Sequence, residues 1–366
     1  VAMANRLEEM GTSLDYTPEL YYTVFSTEVT SEDTPKMLEL IADSLKNPLF
    51  SDTELKTEKK QLRTTLNERL AEASSQAWNA YARALYKPGT SHYSKPFADQ
   101  LSELDRIDSD DLKRYHHDHF TPDNTVIAIV GDIDPEAAVT LVQKNFSDWS
   151  GSDKEKITVG KNDLAAFDPT HAEIQIPLKD KVNTEVVLGH AIDLDVHSPD
   201  FFAAKVGNAA LGYDTVDGRL SVVRDQHGWT YNISSSLSDD FYPYSPWNVS
   251  FSVNPENYRK ALALVRKIID KYSKEGITKY ELEQERSRLS GAFYVNLRSP
   301  RQVADKISLV ESLGLGVQFI DQFGEKMEKV TAPAVNSAIK KYLNPAGIVT
   351  VSSGTFKPGG RREDVK

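Results

Sequence analysis

The strings FSDTELKTEKKQL, beginning at Phe50, and ITKYELEQERSRL, beginning at Ile277, carry a Glu-Leu pair, a glutamate and a leucine at identical spacings. Glu54, Leu55, Glu58 and Leu62 answer to Glu281, Leu282, Glu285 and Leu289, 227 positions later. The segments before them agree as well. Residues 34–62 open with Thr-Pro and place Met37, Leu38, Leu40, Ile41 and Leu45 at helical spacing; residues 254–289 open with Asn254-Pro255 and carry Leu262, Leu264, Val265, Ile268 and Ile269. Further on, FTPDNTVIAIVGD (120–132) reads as a proline turn feeding a buried strand, and YLNPAGIVTVSSG (342–354) is its counterpart. Pro122 matches Pro345 and Gly131 matches Gly354, both at an offset of 223. A register held so evenly is what a duplicated domain leaves behind.

Each half mixes strands and helices, so the repeat predicts an α+β fold of two tandem homologous domains. The division falls at 1–147 and 171–366, joined by a linker over 148–170 whose core, Asp148 to Pro169, is rich in Ser, Gly, Asp and Lys. The repeat also serves as a ruler. Gly228 matches Gly11, since LEEMG and VRDQHG both end a helix before a strand. Ahead of Gly228 stand a strand in AEIQIPLKDKVNTEVVLGHAI (172–192) and a helix from Pro199 to about Leu211; ahead of Gly11 stand ten residues. On this reading the first domain lacks a strand and a helix that its twin has, through trimming, omission or completion by a partner.

With 366 residues and 39 % hydrophobic content the chain can fill two cores. A formal net charge of −11 argues against a nucleic-acid backbone or an anionic membrane as the main partner. No cysteine occurs, which removes disulfides, thiolate nucleophiles and cysteine-ligated metals. No apolar run approaches the roughly 18 residues of a membrane span, and VAMANRLEEMG lacks the basic and apolar blocks of a signal peptide.

The run LGYDTVDGRLSVVRDQHGWTY (211–231), together with the tandem halves and YLNPAGIVTVSSG, resembles the M16 family of zinc peptidases, whose domains are ferredoxin-like-derived. That family includes pitrilysin-like proteases, the mitochondrial processing peptidase and the core subunits of the cytochrome bc1 complex. Arg219-Leu220, Arg224, Gly228 and Tyr231 carry the second-domain signature. The resemblance implies that Arg224 and Tyr231 bind the substrate backbone and help to stabilise the oxyanion. A fixed guanidinium fork and a phenolic donor suit carbonyl oxygens that gain negative charge.

The family's first domain carries His-x-x-Glu-His on a helix, with a glutamate ligand well downstream. This sequence contains no His-x-x-Glu-His. The family pattern also sets a glutamate seven residues before the downstream ligand; Glu58 matches the first, and Thr65 stands where the ligand belongs. Glu68, about one turn further, serves only if the helix is shifted. The resemblance therefore implies a catalytically incomplete subunit, inactive alone, with no zinc of its own. It would pair as a heterodimer with a zinc-bearing paralogue, as some bacterial members do, and act on unfolded peptides within a metalloendopeptidase. Two other readings are a scaffold subunit like the bc1 core proteins, and a full zinc peptidase whose N-terminal segment is missing. The absence of cysteine is compatible with a bacterial periplasm, with a mitochondrion as the second choice.

Other motifs have plainer readings. His116, His117 and His119 in HHDHF look metal-like, but neighbouring helical residues point about 100° apart, so the cluster reads as a solvated helix end. Asp108, Asp110 and Asp111 read as N-cap and helix-dipole partners. DDFYPYSPW (239–247), with Pro243 and Pro246, reads as an irregular or edge segment.

Overall fold

The structure is a computed structural model that describes residues 2–151, 160–166, 172–212, 218–237 and 241–356. Most of the proposed linker (152–159 and 167–170) and residues 239–240 lie outside the described residues. In chain order the helices are α1 Ala2–Glu9, α2 Thr34–Lys46, α3 Asp52–Ala71, α4 Ala73–Leu85, α5 Phe97–Leu104, α6 Ser109–His119 and α7 Pro135–Phe146. They continue with α8 Phe201–Gly212, α9 Val222–Asp225, α10 Tyr258–Glu275, α11 Lys279–Val295, α12 Pro300–Ser312, α13 Gln318–Glu328 and α14 Ala332–Tyr342. The strands are β1 Asp15–Pro18, β2 Thr23–Ser26, β3 Glu173–Pro177, β4 Thr184–Ala191, β5 Thr230–Leu237, β6 Pro246–Val253 and β7 Val349–Gly354.

The repeat has a physical basis at its most regular point. Glu54 is the third residue of α3, accepts from Ser51 Oγ at 2.9 Å, and has its backbone N–H bonded to the same hydroxyl. Glu281 does the same in α11, accepting from the Thr278 N–H at 2.7 Å and hydroxyl at 2.8 Å. Both are N-terminal capping arrangements, in which a hydroxyl and a carboxylate three residues on satisfy otherwise unbonded amides. The glycines agree as well. Gly11 and Gly228 adopt φ of 63° and 62°, the left-handed helix-ending conformation, and Gly131 and Gly354 are both positive at 155° and 139°.

Two compact units emerge, and each draws on both halves of the sequence. The first comprises Val1–Gln61, Leu104–Thr158 and Gly291–Phe323; the second comprises Leu62–Glu103, Val159–Ser290 and Gly324–Lys366. Matching segments have thus been exchanged, because residue 62 and residue 291 both follow the capped starts of the equivalent helices α3 and α11.

In the first unit β1 and β2 form an antiparallel pair, with Tyr16 opposite Phe25 and their rings edge to face at 5.1 Å. Arg301 of α12 holds Asp15 at 2.6 Å. α2 packs on α7 and buries Met37, Leu38, Leu40, Ala42 and Leu45, much as its periodicity predicts. The strand expected after Pro122 does not form. A single 3₁₀ turn, Pro122–Asn124, is present, but residues 125–130 join no ladder, and Val126 and Ile127 are 41 % and 40 % exposed. Its counterpart β7 is fully buried between two strands. An apolar run becomes a buried strand only where neighbours take its backbone hydrogen bonds.

The second unit holds a five-stranded sheet of order β3-β7-β4-β6-β5, antiparallel except for the β3–β7 pair. The strand predicted over 172–192 is two, with β7 inserted between them; the chain reverses at Asp180, whose φ is 59°. The helix predicted from Pro199 is α8. It packs on β5 and α14, and Asn208 locks it to the sheet: Ser235 Oγ donates to Asn208 Oδ1 at 2.6 Å and Trp247 Nε1 donates to Ser235 Oγ at 3.0 Å. On the opposite face α4 lays Ala77, Ala80, Tyr81 and Leu85 over Val187, Val349 and Val351. Pro246 is tolerated because it heads β6. Residues 241–245 are irregular, as one of the two alternatives expects, while β6 itself is interior, so the edge alternative is corrected.

Removing either cap hydroxyl, in Ser51→Ala or Thr278→Ala, is expected to lower unfolding free energy by about 1 kcal/mol. Urea denaturation of the two variants checks this; a loss in one only would show that the equivalent caps are not equally used.

Candidate functional site

Arg224 lies in the single turn of α9, and the chain turns at Gly228, whose N–H donates to the Arg224 carbonyl at 2.8 Å while Trp229 N–H donates to the Val223 carbonyl at 3.2 Å. The turn delivers the chain into β5. Tyr231 is the second residue of that strand, which is an outer strand of the sheet, and it is 86 % exposed. An aromatic ring left so far in solvent contributes little to a core. It lines a cleft of 530 Å³ with Asn183, Trp229, Asn232, Ser252 and Asn254. Beside the indole of Trp229, the walls thus carry amide and hydroxyl groups that can both donate and accept.

Arg224 is not among the residues lining that cleft. Its Nε donates to Asp225 at 2.7 Å, and this bond holds the Asp225 carboxyl below the usual carboxylate range. The structure thus joins the two predicted residues through one capped turn, with Arg224 at its start and Tyr231 on the strand that follows it.

Arg219, the first residue of the same signature, has a different task. Its guanidinium holds Glu281 through Nε at 2.7 Å and Nη2 at 2.9 Å, gives a further bond to the Gly276 carbonyl at 2.8 Å, and lies 4.4 Å from the Tyr272 ring centre. Burial pushes the Glu281 carboxyl up, but the hydrogen bonds from Arg219 and Thr278 outweigh it and hold the group low. The glutamate that caps α11 is therefore also the anchor of the turn that presents Arg224. Sequence reasoning found Glu281 as a repeat marker only; the capping spacing Thr-x-x-Glu was the signal for its structural role.

The metal-ligand expectations can be placed. Thr65 is half-buried on α3, and Glu58 and Glu68 are exposed on the same helix. Among the described residues no group of three or more His, Cys, Asp or Glu side chains converges as a metal site. The three histidines are likewise dispersed. His116 is half-buried, stacked on Phe120 at 4.9 Å and edge-on to Phe50, and burial pushes its imidazole down. The solvated-helix-end reading is corrected for His116, while His117 faces Asp118 and His119 faces Tyr115. Asp108 behaves as expected, its side chain accepting from the N–H groups of Asp110 and Asp111. No helix among the described residues is long and apolar enough to cross a membrane.

Comparison with known proteins agrees with this frame. Residues 106–289 match the family described as peptidase M16 inactive domain, and residues 1–94 match insulinase, peptidase family M16. The uncharacterized zinc protease YmxG of Bacillus subtilis is 22 % identical over 342 residues, covering 93 % of this chain and 80 % of its own. Subunit 1 of the bovine mitochondrial cytochrome b-c1 complex is 25 % identical over 224 residues, 59 % of this chain and 44 % of its own. A crystal structure of a peptidase M16 inactive domain from Pseudomonas fluorescens shares the fold with a TM-score of 0.83 at 22 % identity, covering 98 % of this chain and 85 % of that one.

Glu281→Gln is expected to destabilise the protein by about 2 kcal/mol at neutral pH, the worth of hydrogen bonds to a charged group. A carboxyl held low in the folded state stabilises it above the unfolded pKa and loses that effect as pH falls through the folded one. The gap between wild type and variant should therefore shrink on acidification from pH about 7 to about 3, which urea unfolding at each pH measures.

Proposed function

The chain belongs to peptidase family M16, and we propose that it is the zinc-lacking half of a two-chain member of that family. In this reading residues 1–147 and 171–366 are the homologous domains and 148–170 joins them. The chain pairs with a zinc-bearing paralogue and presents Arg224 and Tyr231 to an unfolded peptide.

One observation carries the reading: the second-domain turn is fully built, while the ligand position on α3 is a threonine and no donor set converges among the described residues. Tyr231 extends from a strand anchored by the sheet, so its hydroxyl can donate to a peptide carbonyl with little freedom to lose. Arg224 adds a permanent cation where oxyanion charge develops. The amide-lined cleft beside Tyr231 offers paired donors and acceptors that match an extended backbone. The similarity to a cytochrome b-c1 subunit favours a second reading, a scaffold subunit in which the pair is unused.

The test is peptidase activity of the protein alone and mixed with its zinc-bearing paralogue. Activity is expected only in the mixture. It should fall by about 10²-fold or more in Arg224→Ala and by about tenfold in Tyr231→Phe, as for the loss of oxyanion donors, with unchanged unfolding curves. Full activity of both variants in the mixture would establish the scaffold reading. Stoichiometric zinc and activity in the lone protein would overturn both and make it a peptidase in its own right.

A further inference from the structure

The α4-facing side of the five-stranded sheet changes chemistry part-way across. Over β3, β7 and β4 it is apolar, with Ile174 and Ile176 packed against the Val187, Val349 and Val351 cluster. On β6 the register sets Ser250 opposite Val187 and Ser252 opposite Glu185, and β5 sets Ser234 opposite Ser250. A sheet face beneath a helix is ordinarily apolar. Here the hydroxyl-lined part opens into a cavity of 180 Å³, walled on the helix side by Ser74, Ala77 and Trp78.

Glu185 is the charged group of that cavity. It is half-buried, and its Oε1 accepts from Ser252 Oγ at 2.6 Å. Among the described residues no cation pairs with it. Burial pushes its carboxyl up, and Glu72, the charge that acts on it, has the same sign. A partly buried carboxylate without a counter-charge is costly to keep, which leaves the cavity short of one positive charge. Its volume falls below the roughly 300 Å³ at which small-molecule sites begin and suits a single long side chain. Trp78, 39 % exposed, supplies an apolar wall for methylenes and a ring face that attracts a cation. Asn232 and Ser252 line both this cavity and the Tyr231 cleft, so the two are adjacent.

We propose that this cavity is a specificity subsite for a basic side chain, arginine or lysine, of a peptide whose backbone lies along the Tyr231 cleft, with Glu185 as the counter-charge. The inference rests on the peptide-binding reading above.

The experiment uses the full chain and two fluorescein-labelled unstructured peptides that differ only in one arginine or its neutral isostere citrulline, read by fluorescence anisotropy. The arginine peptide should bind about tenfold tighter, which corresponds to about 1.4 kcal/mol. Glu185→Gln should weaken the arginine peptide alone and bring the two affinities together. Ser234→Lys, which places a fixed cation in the cavity without touching Glu185, should have the same effect. Tyr231→Phe should weaken both peptides by the same factor. Equal affinities in the wild type, or an undiminished preference in both Glu185→Gln and Ser234→Lys, would overturn the subsite and leave the peptide-binding reading standing. Binding of neither peptide would overturn both.

Discussion

A sheet with apolar residues on both faces must be covered twice, and this need organises the second unit. α8, with α14 against it, covers one face, and α4 covers Val187, Val349 and Val351 on the other. The covering helix comes from the far half of the sequence. Gly189 shows how tightly it fits, since a Cβ there would meet the Trp247 carbonyl at 2.2 Å and the Tyr81 hydroxyl at 2.6 Å. The turn at Gly228 is attached to a strand of this same sheet, so the placement of Tyr231 depends on a helix drawn from the other half of the duplication.

Within the signature itself the two arginines are held differently. The donors of Arg219 go to Glu281 and a backbone carbonyl, and its cation lies over Tyr272. That pairing anchors the segment leading to α9, five residues before Arg224. Two arginines five residues apart in one run therefore have different partners, one a glutamate and a backbone carbonyl, the other the neighbouring Asp225.

Much of this was legible in the sequence wherever the controlling interaction is local. The caps, the helix-ending glycines and the amphipathic face of α2 each declare themselves within a few residues. The α+β class and the tandem halves followed from the register of Glu54 and Glu281. Strand pairing was less legible, because it depends on neighbours distant in sequence. Residues 172–192 read as one apolar segment, yet β7, some 160 positions away, separates β3 from β4. Residues 125–130 are more apolar than β7 yet join no ladder. Of the proposed site, Arg224 and Tyr231 were singled out only through their place in the family signature; Glu185 was not, since an isolated glutamate in a strand gains meaning only from Ser252 beside it and the cavity it shares with Trp78.

The exchanged segments also bear on how the molecule can be made. A ribosome releases the chain from its N-terminus at about 5–20 residues per second. The first unit includes Gly291–Phe323, and the sheet of the second is closed by β7, its last strand, at 349–354. The first unit can therefore be complete only once residue 323 has been made, and the sheet of the second only once residue 354 has. The nascent N-terminal half must wait with apolar helix faces uncovered, and the segments that complete the two units follow one another closely in the chain.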